Sequence, residues 1–264
     1  MTRVRKDDQR SASELASVRR SVWDYIARTG LAYLLLGFFF FPEVTSYSLY
    51  VALMLPWLLL VAAILAYRAD LLYTEDGTLL EKLNLATQVT LIRVLSVPLI
   101  FLLIYQGRLK VAGILFLLAA LTDWLDGFLA RRMGEVTQLG RMVDPSIDAV
   151  FCSATFLALG MGGRIPLLLL FLAGIRYGLL LAGAIAVRAT LGELPVRATF
   201  SGRMFYFLQY SLLFIYLLSD GQLSPDRIHQ ALSLLQILVS FQLLLLGWNM
   251  LTLHLHGDRP TDSL

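Results

Sequence analysis

The sequence predicts an all-α fold: a polytopic transmembrane helical bundle in which an N-terminal two-helix hairpin precedes a six-helix core. Three observations predict it. The 264 residues are 58% apolar, with a mean hydropathy of +0.70. Charged residues make up 16%, against about 25% in a soluble domain. Apolar runs of membrane-spanning length recur along the chain. Cys152 is the single cysteine, so no intrachain disulfide can form. It sits in an apolar run and reads as a packing residue.

Taken in order, residues 1–22 are polar and basic, and are expected to be flexible or a short surface helix. Arg3, Arg5, Lys6, Arg10, Arg19, Arg20 and Arg28 cluster at this end. Such an arm suits nucleic acid or an anionic membrane surface. Beside a membrane span the second reading is favoured, with no nucleic-acid partner. A cleavable signal is not expected: the basic region is too long, and Phe41-Pro42-Glu43 lacks a small-residue cleavage site.

The run 27–41 is short for a span and 47–67 is long enough, so the two predict a hairpin over 23–67 with 42–46 as its turn. The aromatic cluster Phe38–Phe41 reads as lipid contact. Residues 68–88 mix Arg68, Asp70, Glu75, Asp76, Glu81 and Lys82 with Leu79, Leu80, Leu83 and Leu85. That is the pattern of an amphipathic juxtamembrane helix. Six further runs, 89–105, 111–130, 147–161, 165–187, 205–218 and 231–250, predict a core over 89–251. A polar tail, 252–264, follows.

Eight crossings put both termini on one side. That side collects the N-terminal arm, Arg131, Arg132, Arg141, Arg188, Arg197, Arg203 and Arg259, leaving Arg108, Lys110, Arg164 and Arg227 on the other. The bias makes the first side cytoplasmic. The expected location is a multi-pass protein of the bacterial inner membrane.

Four carboxylates break the apolar pattern. The stretch 121–150 carries Asp123, Asp126, Gly127, Ala130, Arg131, Gly140, Asp144 and Asp148, in the spacing D-x2-D-G-x2-A-R-x8-G-x3-D-x3-D. Lipid tolerates such groups only when they are paired, metal-bound or facing a polar cavity. Asp123 and Asp126 share one helix face at i, i+3, and Asp144 and Asp148 share another at i, i+4. On antiparallel helices all four converge just below the cytoplasmic surface. Their mutual repulsion calls for divalent cations, and oxygen-only ligands favour Mg²⁺ or Mn²⁺. Two such ions can clamp a pyrophosphate. Gly127, Ala130 and Gly140 leave room for close approach, and Arg131 suits phosphate oxygens. Helix capping accounts for Asp144 before Pro145, but not for Asp123 and Asp126 in a hydrophobic bundle.

This spacing resembles the signature of the CDP-alcohol phosphotransferases, also called CDP-alcohol phosphatidyltransferases. The resemblance covers about residues 80–250. It implies two Mg²⁺ or Mn²⁺ ions per site and transfer of a phosphoalcohol group from a CDP-alcohol to an acceptor hydroxyl, with release of CMP. Carried over by position, Asp123, Asp126, Asp144 and Asp148 look like metal ligands, and Asp148 also like the catalytic base. Gly127, Ala130, Arg131 and Gly140 would line the CDP site. Asn84-Leu-Ala-Thr87-Gln-Val-Thr90-Leu-Ile-Arg93 resembles the start of the family's first core helix. There Thr87, Thr90 and Arg93 would help bind nucleotide and phosphate; for Arg93, snorkelling to the interface is the competing reading. A homodimer is also implied.

The local sequence from Thr122 to Arg132 reads most like the phosphatidylglycerophosphate synthases of that family. The resemblance therefore implies CDP-diacylglycerol as donor and glycerol 3-phosphate as the small polar alcohol acceptor. Arg176, Arg203 and Arg141 are the candidates for the acceptor phosphate. The sequence departs from the family pattern at Tyr177, where an acid usually stands, at Arg203, where Lys is common, and at Ala149, also a Lys position. Inositol phosphate, serine or another alcohol therefore stays open as acceptor. For Arg176 the plainer reading is a buried ion pair or a carbonyl contact at a kink. Two other classes compete: a cation-coupled transporter, which predicts acids spread through the membrane depth, and a catalytically silent scaffold. His229, His254 and His256 fit no H-x-K-x4-D pattern, which removes a histidine-nucleophile phosphatidyl transfer.

Overall fold

In lipid every backbone polar group must find its partner within the protein, and a chain this apolar meets that demand with helices. A computed structural model describes the backbone of residues 2–67, 85–133, 138–191, 200–220 and 225–255. It describes side chains within 16–67, 87–122, 147–183, 185, 204–220 and 225–245. Eight helices and no strand occur among the described residues: α1 (Thr2–Phe40), α2 (Val44–Tyr67), α3 (Leu85–Tyr105), α4 (Leu109–Met133), α5 (Gln138–Met161), α6 (Leu167–Leu191), α7 (Phe200–Leu218) and α8 (Pro225–Leu255). The all-α membrane-bundle fold class therefore holds.

Among the described residues, three helical segments are long and apolar enough to cross a membrane: Val44–Tyr67, Thr87–Tyr105 and Pro225–Leu245. Four more, Leu109–Thr122, Ile147–Met161, Leu167–Gly183 and Met204–Leu218, are apolar and shorter.

Two boundaries differ from expectation. The basic arm and the first apolar run form one 39-residue helix, α1. No Gly or Pro interrupts it before Gly30, and Ser, Ala, Glu and Arg carry helix well enough. It stops at Phe40, because the residue before Pro42 is driven out of helical geometry. The segment expected to be amphipathic lies outside the described residues except for 85–88, which open α3.

The chain divides into two compact units, Met1–Ala154 and Thr155–Leu264. In the first, α1 and α2 form a hairpin. Tyr50 donates its hydroxyl to the Tyr33 carbonyl at 2.9 Å, and Arg19 Nε bonds the Ala66 carbonyl at 3.1 Å. Val18, Val22 and Ile26 on α1, and Tyr50, Met54, Leu58, Ala62 and Leu65 on α2, form buried stripes of i, i+4 and i+3 spacing. Leu55, Leu59, Leu60 and Ile64 on the far face of α2 stay exposed, as a lipid-facing surface requires. Phe38 and Phe39 are exposed in keeping with lipid contact, but Phe41 is buried, with its ring 5.4 Å from that of Tyr50.

Helix α3 is the centre of this unit. Most of its apolar stretch is buried, whereas most of α2 is exposed. It ends where Gly107 takes φ 82°, so that Arg108 N–H reaches the Leu103 carbonyl at 2.8 Å. This left-handed cap turns the chain into α4. Arg108 also donates through Nη1 to the Phe40 carbonyl, fastening the α3–α4 turn to the end of α1. Phe116 of α4 stacks on Phe151 of α5 with centroids 5.0 Å apart.

The second unit is built on α6, α7 and α8, with α8 packing against both others. Leu169, Ala173, Leu213, Leu217, Leu232 and Leu235 form its buried apolar core. Gly163 (φ 65°) repeats the glycine cap before α6, with Arg164 N–H on the Leu159 carbonyl at 2.9 Å.

Candidate active site

Arg93 lies in the middle of an apolar helix and has no access to solvent at all. A guanidinium keeps its proton even there, so its burial is costly unless nearby groups offset the charge. Its Nη1 lies 3.2 Å from Asp148 Oδ1, which α5 supplies; the Asp148 side chain keeps 23% of its surface exposed. Two sequence-predicted site residues, taken from separate motifs, therefore meet in one ion pair. The geometry answers the snorkelling reading of Arg93, since the side chain points to a carboxylate and away from bulk water. Ser96 Oγ donates to the Arg93 carbonyl at 2.6 Å, fixing the backbone beneath it. Thr87 and Thr90 are half-buried on the same helix. With Arg93 they fall within an arc of about 120° on α3.

The ring pair sets the register of α4 against α5. Asp123 stands two turns beyond Phe116 on nearly the same face, and Asp144 two turns before Phe151 on nearly the same face. Both displacements, about 10 Å along the axes, run toward the connection between the two helices. Asp126 and Asp148 follow at i+3 and i+4 within the same helices. The side chains of Asp123, Asp126, Gly127, Ala130, Arg131, Gly140, Arg141, Asp144 and Arg203 lie outside the described set, although each of these positions is helical. Among the described residues no group of three or more His, Cys, Asp or Glu gathers, and three of the four aspartates fall outside that set.

Arg176, in the second unit, is also fully buried. Neither plainer reading holds among the described residues: its hydrogen bonds go to neither a carboxylate nor a backbone carbonyl. Instead Nη1 donates to Gln209 Oε1 and, at 3.1 Å, to Gln236 Oε1. Gln209 Nε2 in turn donates to the Tyr177 hydroxyl at 2.8 Å. The rings of Tyr177 and Tyr206 each stand 5.3 Å from the guanidinium carbon. Nε and Nη2 have no hydrogen-bond partner among the described residues. The result is a buried cation held by neutral groups, with donors to spare. Sequence reasoning passed over Gln209 and Gln236. Their signal was available: both are amides inside apolar runs, where lipid makes an unpartnered polar group costly.

The chain is thus a helical membrane bundle with a buried Arg–Asp pair at the end of a four-aspartate motif. The sequence profile of the CDP-alcohol phosphatidyltransferases matches residues 83–248, and the chain belongs to that family. Curated relatives named CDP-diacylglycerol--glycerol-3-phosphate 3-phosphatidyltransferase align with part of it. That of Wigglesworthia glossinidia brevipalpis is 42% identical over 72 residues, and that of Sodalis glossinidius (strain morsitans) 43% over 72 residues. That of Yersinia pestis (strain Pestoides F) is 44% identical over 72 residues. In each case the match covers 26% of this chain and 40% of the relative's length.

Proposed function

We propose that the protein is an integral membrane phosphatidyltransferase of phospholipid biosynthesis. In this reading it moves the phosphatidyl group of CDP-diacylglycerol to glycerol 3-phosphate and releases CMP. The observation that carries the reading is the ion pair between buried Arg93 and Asp148, which falls within the family-matched range. The names of the curated relatives support glycerol 3-phosphate as acceptor.

The residues fit a divalent-metal site. The donor set is four carboxylates, the oxygen ligands that hard divalent cations take. Asp123, Asp126, Asp144 and Asp148 would hold two Mg²⁺ or Mn²⁺ ions, whose charge offsets that of the pyrophosphate when bound. Gly127, Ala130, Arg131, Gly140, Thr87 and Thr90 would bind the CDP head group.

Asp148 acts as general base: its carboxylate takes the proton of the acceptor hydroxyl. That oxygen attacks the lipid-bearing β-phosphorus. The bond from this phosphorus to the oxygen of CMP breaks, and CMP leaves with the electron pair. Arg93 holds the Asp148 carboxylate in one orientation, so the base meets the hydroxyl without searching. Arg176, Arg141 and Arg203 stay the candidates for the acceptor phosphate, and the spare Nε and Nη2 donors of Arg176 suit two phosphate oxygens. The diacyl tails stay among the apolar helices. The charge bias of the loops favours an inner-membrane protein with its termini and active site cytoplasmic, and a homodimer is the assembly the family resemblance implies.

The test is CMP release by purified protein in detergent with CDP-diacylglycerol and a panel of acceptors: glycerol 3-phosphate, inositol, inositol phosphate, serine and none. Each is run with Mg²⁺, with Mn²⁺ and with chelator. Release with glycerol 3-phosphate, lost in Asp148→Asn and in chelator, supports the whole reading. Release with another acceptor corrects the substrate and keeps the reaction. No release with any acceptor from folded protein refutes it.

A further inference from the structure

Pro98 lies inside α3. It has no N–H to give, so the carbonyl four residues earlier, that of Val94, loses its helical donor. In a membrane interior such an orphan is expensive. Trp57 of α2 supplies the missing bond: its indole Nε1–H donates to the Val94 carbonyl at 2.9 Å. The neighbouring carbonyl on the other side of Arg93 is held too, for the Tyr33 hydroxyl of α1 donates to Ile92 O at 2.8 Å. One turn further back, the Tyr25 hydroxyl donates to Gln88 O at 2.7 Å. The carbonyl of Arg93 itself takes Ser96 Oγ. The three cross-helix donors come from a hairpin that lies wholly before the family-matched range, which begins at residue 83.

We propose that Trp57 and Tyr33 are positioning residues: by gripping the carbonyls on either side of Arg93 they set the height and rotation at which its guanidinium meets Asp148. The N-terminal hairpin is then a part of the catalytic apparatus. It clamps the proline-weakened stretch of α3 that carries Arg93. The inference rests on the roles given above to Arg93 and Asp148.

The test measures CMP release and amide hydrogen exchange for Trp57→Phe and Tyr33→Phe, alone and combined with Arg93→Lys. Each substitution removes an N–H or O–H donor and keeps an aromatic ring. The expected result is a fall of about tenfold in kcat for Trp57→Phe, a smaller fall for Tyr33→Phe, and substrate KM values that move far less. With Arg93→Lys already present, the same changes should cost under about twofold, since they act through the residue that is gone. Equal fold losses in both backgrounds, or no loss at all, overturn the proposal. Tyr33→Phe removes a single oxygen and decides the matter if Trp57→Phe does not fold. Amide exchange around Val94–Leu102 should quicken in Trp57→Phe whatever the reaction; unchanged exchange overturns the clamp. Absence of CMP from the unmodified protein with every acceptor would count against the phosphatidyltransferase reading alone.

Discussion

Arg93 Nη1 sits 3.2 Å from Asp148 Oδ1, and this contact joins the helix that opens the family-matched range to the helix that closes the aspartate motif. Asp148 retains some solvent access while Arg93 has none. The carboxylate is thus anchored by a buried guanidinium and still part-exposed, as the proposed role of general base requires.

Asp148→Asn keeps the size of the side chain and removes its basicity. Turnover should fall by about 10²–10⁴-fold, while binding of CDP-diacylglycerol in the presence of Mg²⁺ changes little. Parallel assays of CMP release and ligand binding check both halves. Near-normal turnover would remove Asp148 from the role of base.

Arg93 makes a separate prediction about stability. Arg93→Met leaves the Asp148 carboxylate without its buried cation, and should destabilise the protein by about 1–3 kcal/mol. The partial exposure of Asp148 keeps the value below that of a fully buried pair. Adding Asp148→Asn to Arg93→Met removes the stranded charge and should recover part of the loss. Thermal unfolding of the three variants in one detergent tests it; a double variant less stable than Arg93→Met would contradict the pairing.

The helical fold and the aspartate motif were legible in the sequence because both are carried by local patterns: apolar run length, and carboxylates at i, i+3 and i, i+4. The pairing of Arg93 with Asp148 was not, since no local period links α3 to α5. Both residues were nevertheless singled out, because a charge in an apolar run is costly enough to mark itself. Gln209 and Gln236 carry no formal charge and were missed, although they occupy equally apolar runs. The hydrogen bond from Trp57 to Val94 depended on seeing which carbonyl Pro98 leaves open and which helix passes beside it. The continuity of α1 was obscured by composition, because polarity was read as flexibility or a separate short surface helix where only the absence of Gly and Pro mattered.

Arg176 offers a split between the two substrates. Its Nε and Nη2 are spare donors in a fully buried setting. If they receive the acceptor phosphate, Arg176→Gln should raise the KM for glycerol 3-phosphate by about 10- to 100-fold, the worth of a charged hydrogen bond or two. The KM for CDP-diacylglycerol should stay within about twofold, as uniform loss of one substrate's binding requires. Equal rises in both KM values would make Arg176 a structural cation of the α6–α8 core.

The hairpin gives the last prediction, through Gly37. A methyl group there would meet Cε1, Cδ1 and Cζ of Tyr50. That ring cannot swing aside: it is fully buried, and its hydroxyl is bonded to the Tyr33 carbonyl. Gly37→Ala should therefore push α1 from α2 and cost about 1–3 kcal/mol. Gly174 on α6 is the control, because nothing stands within 4 Å of an added Cβ. Gly174→Ala should be neutral or stabilising by up to about 1 kcal/mol, the helical penalty of glycine. Thermal unfolding compares them directly. The Gly37→Ala loss should bring a fall in turnover with it, because Tyr33 sits on the same face of α1 and would carry the displacement to Ile92 and Arg93. A variant that unfolds earlier yet turns over normally below its melting temperature would separate the hairpin's packing from catalysis.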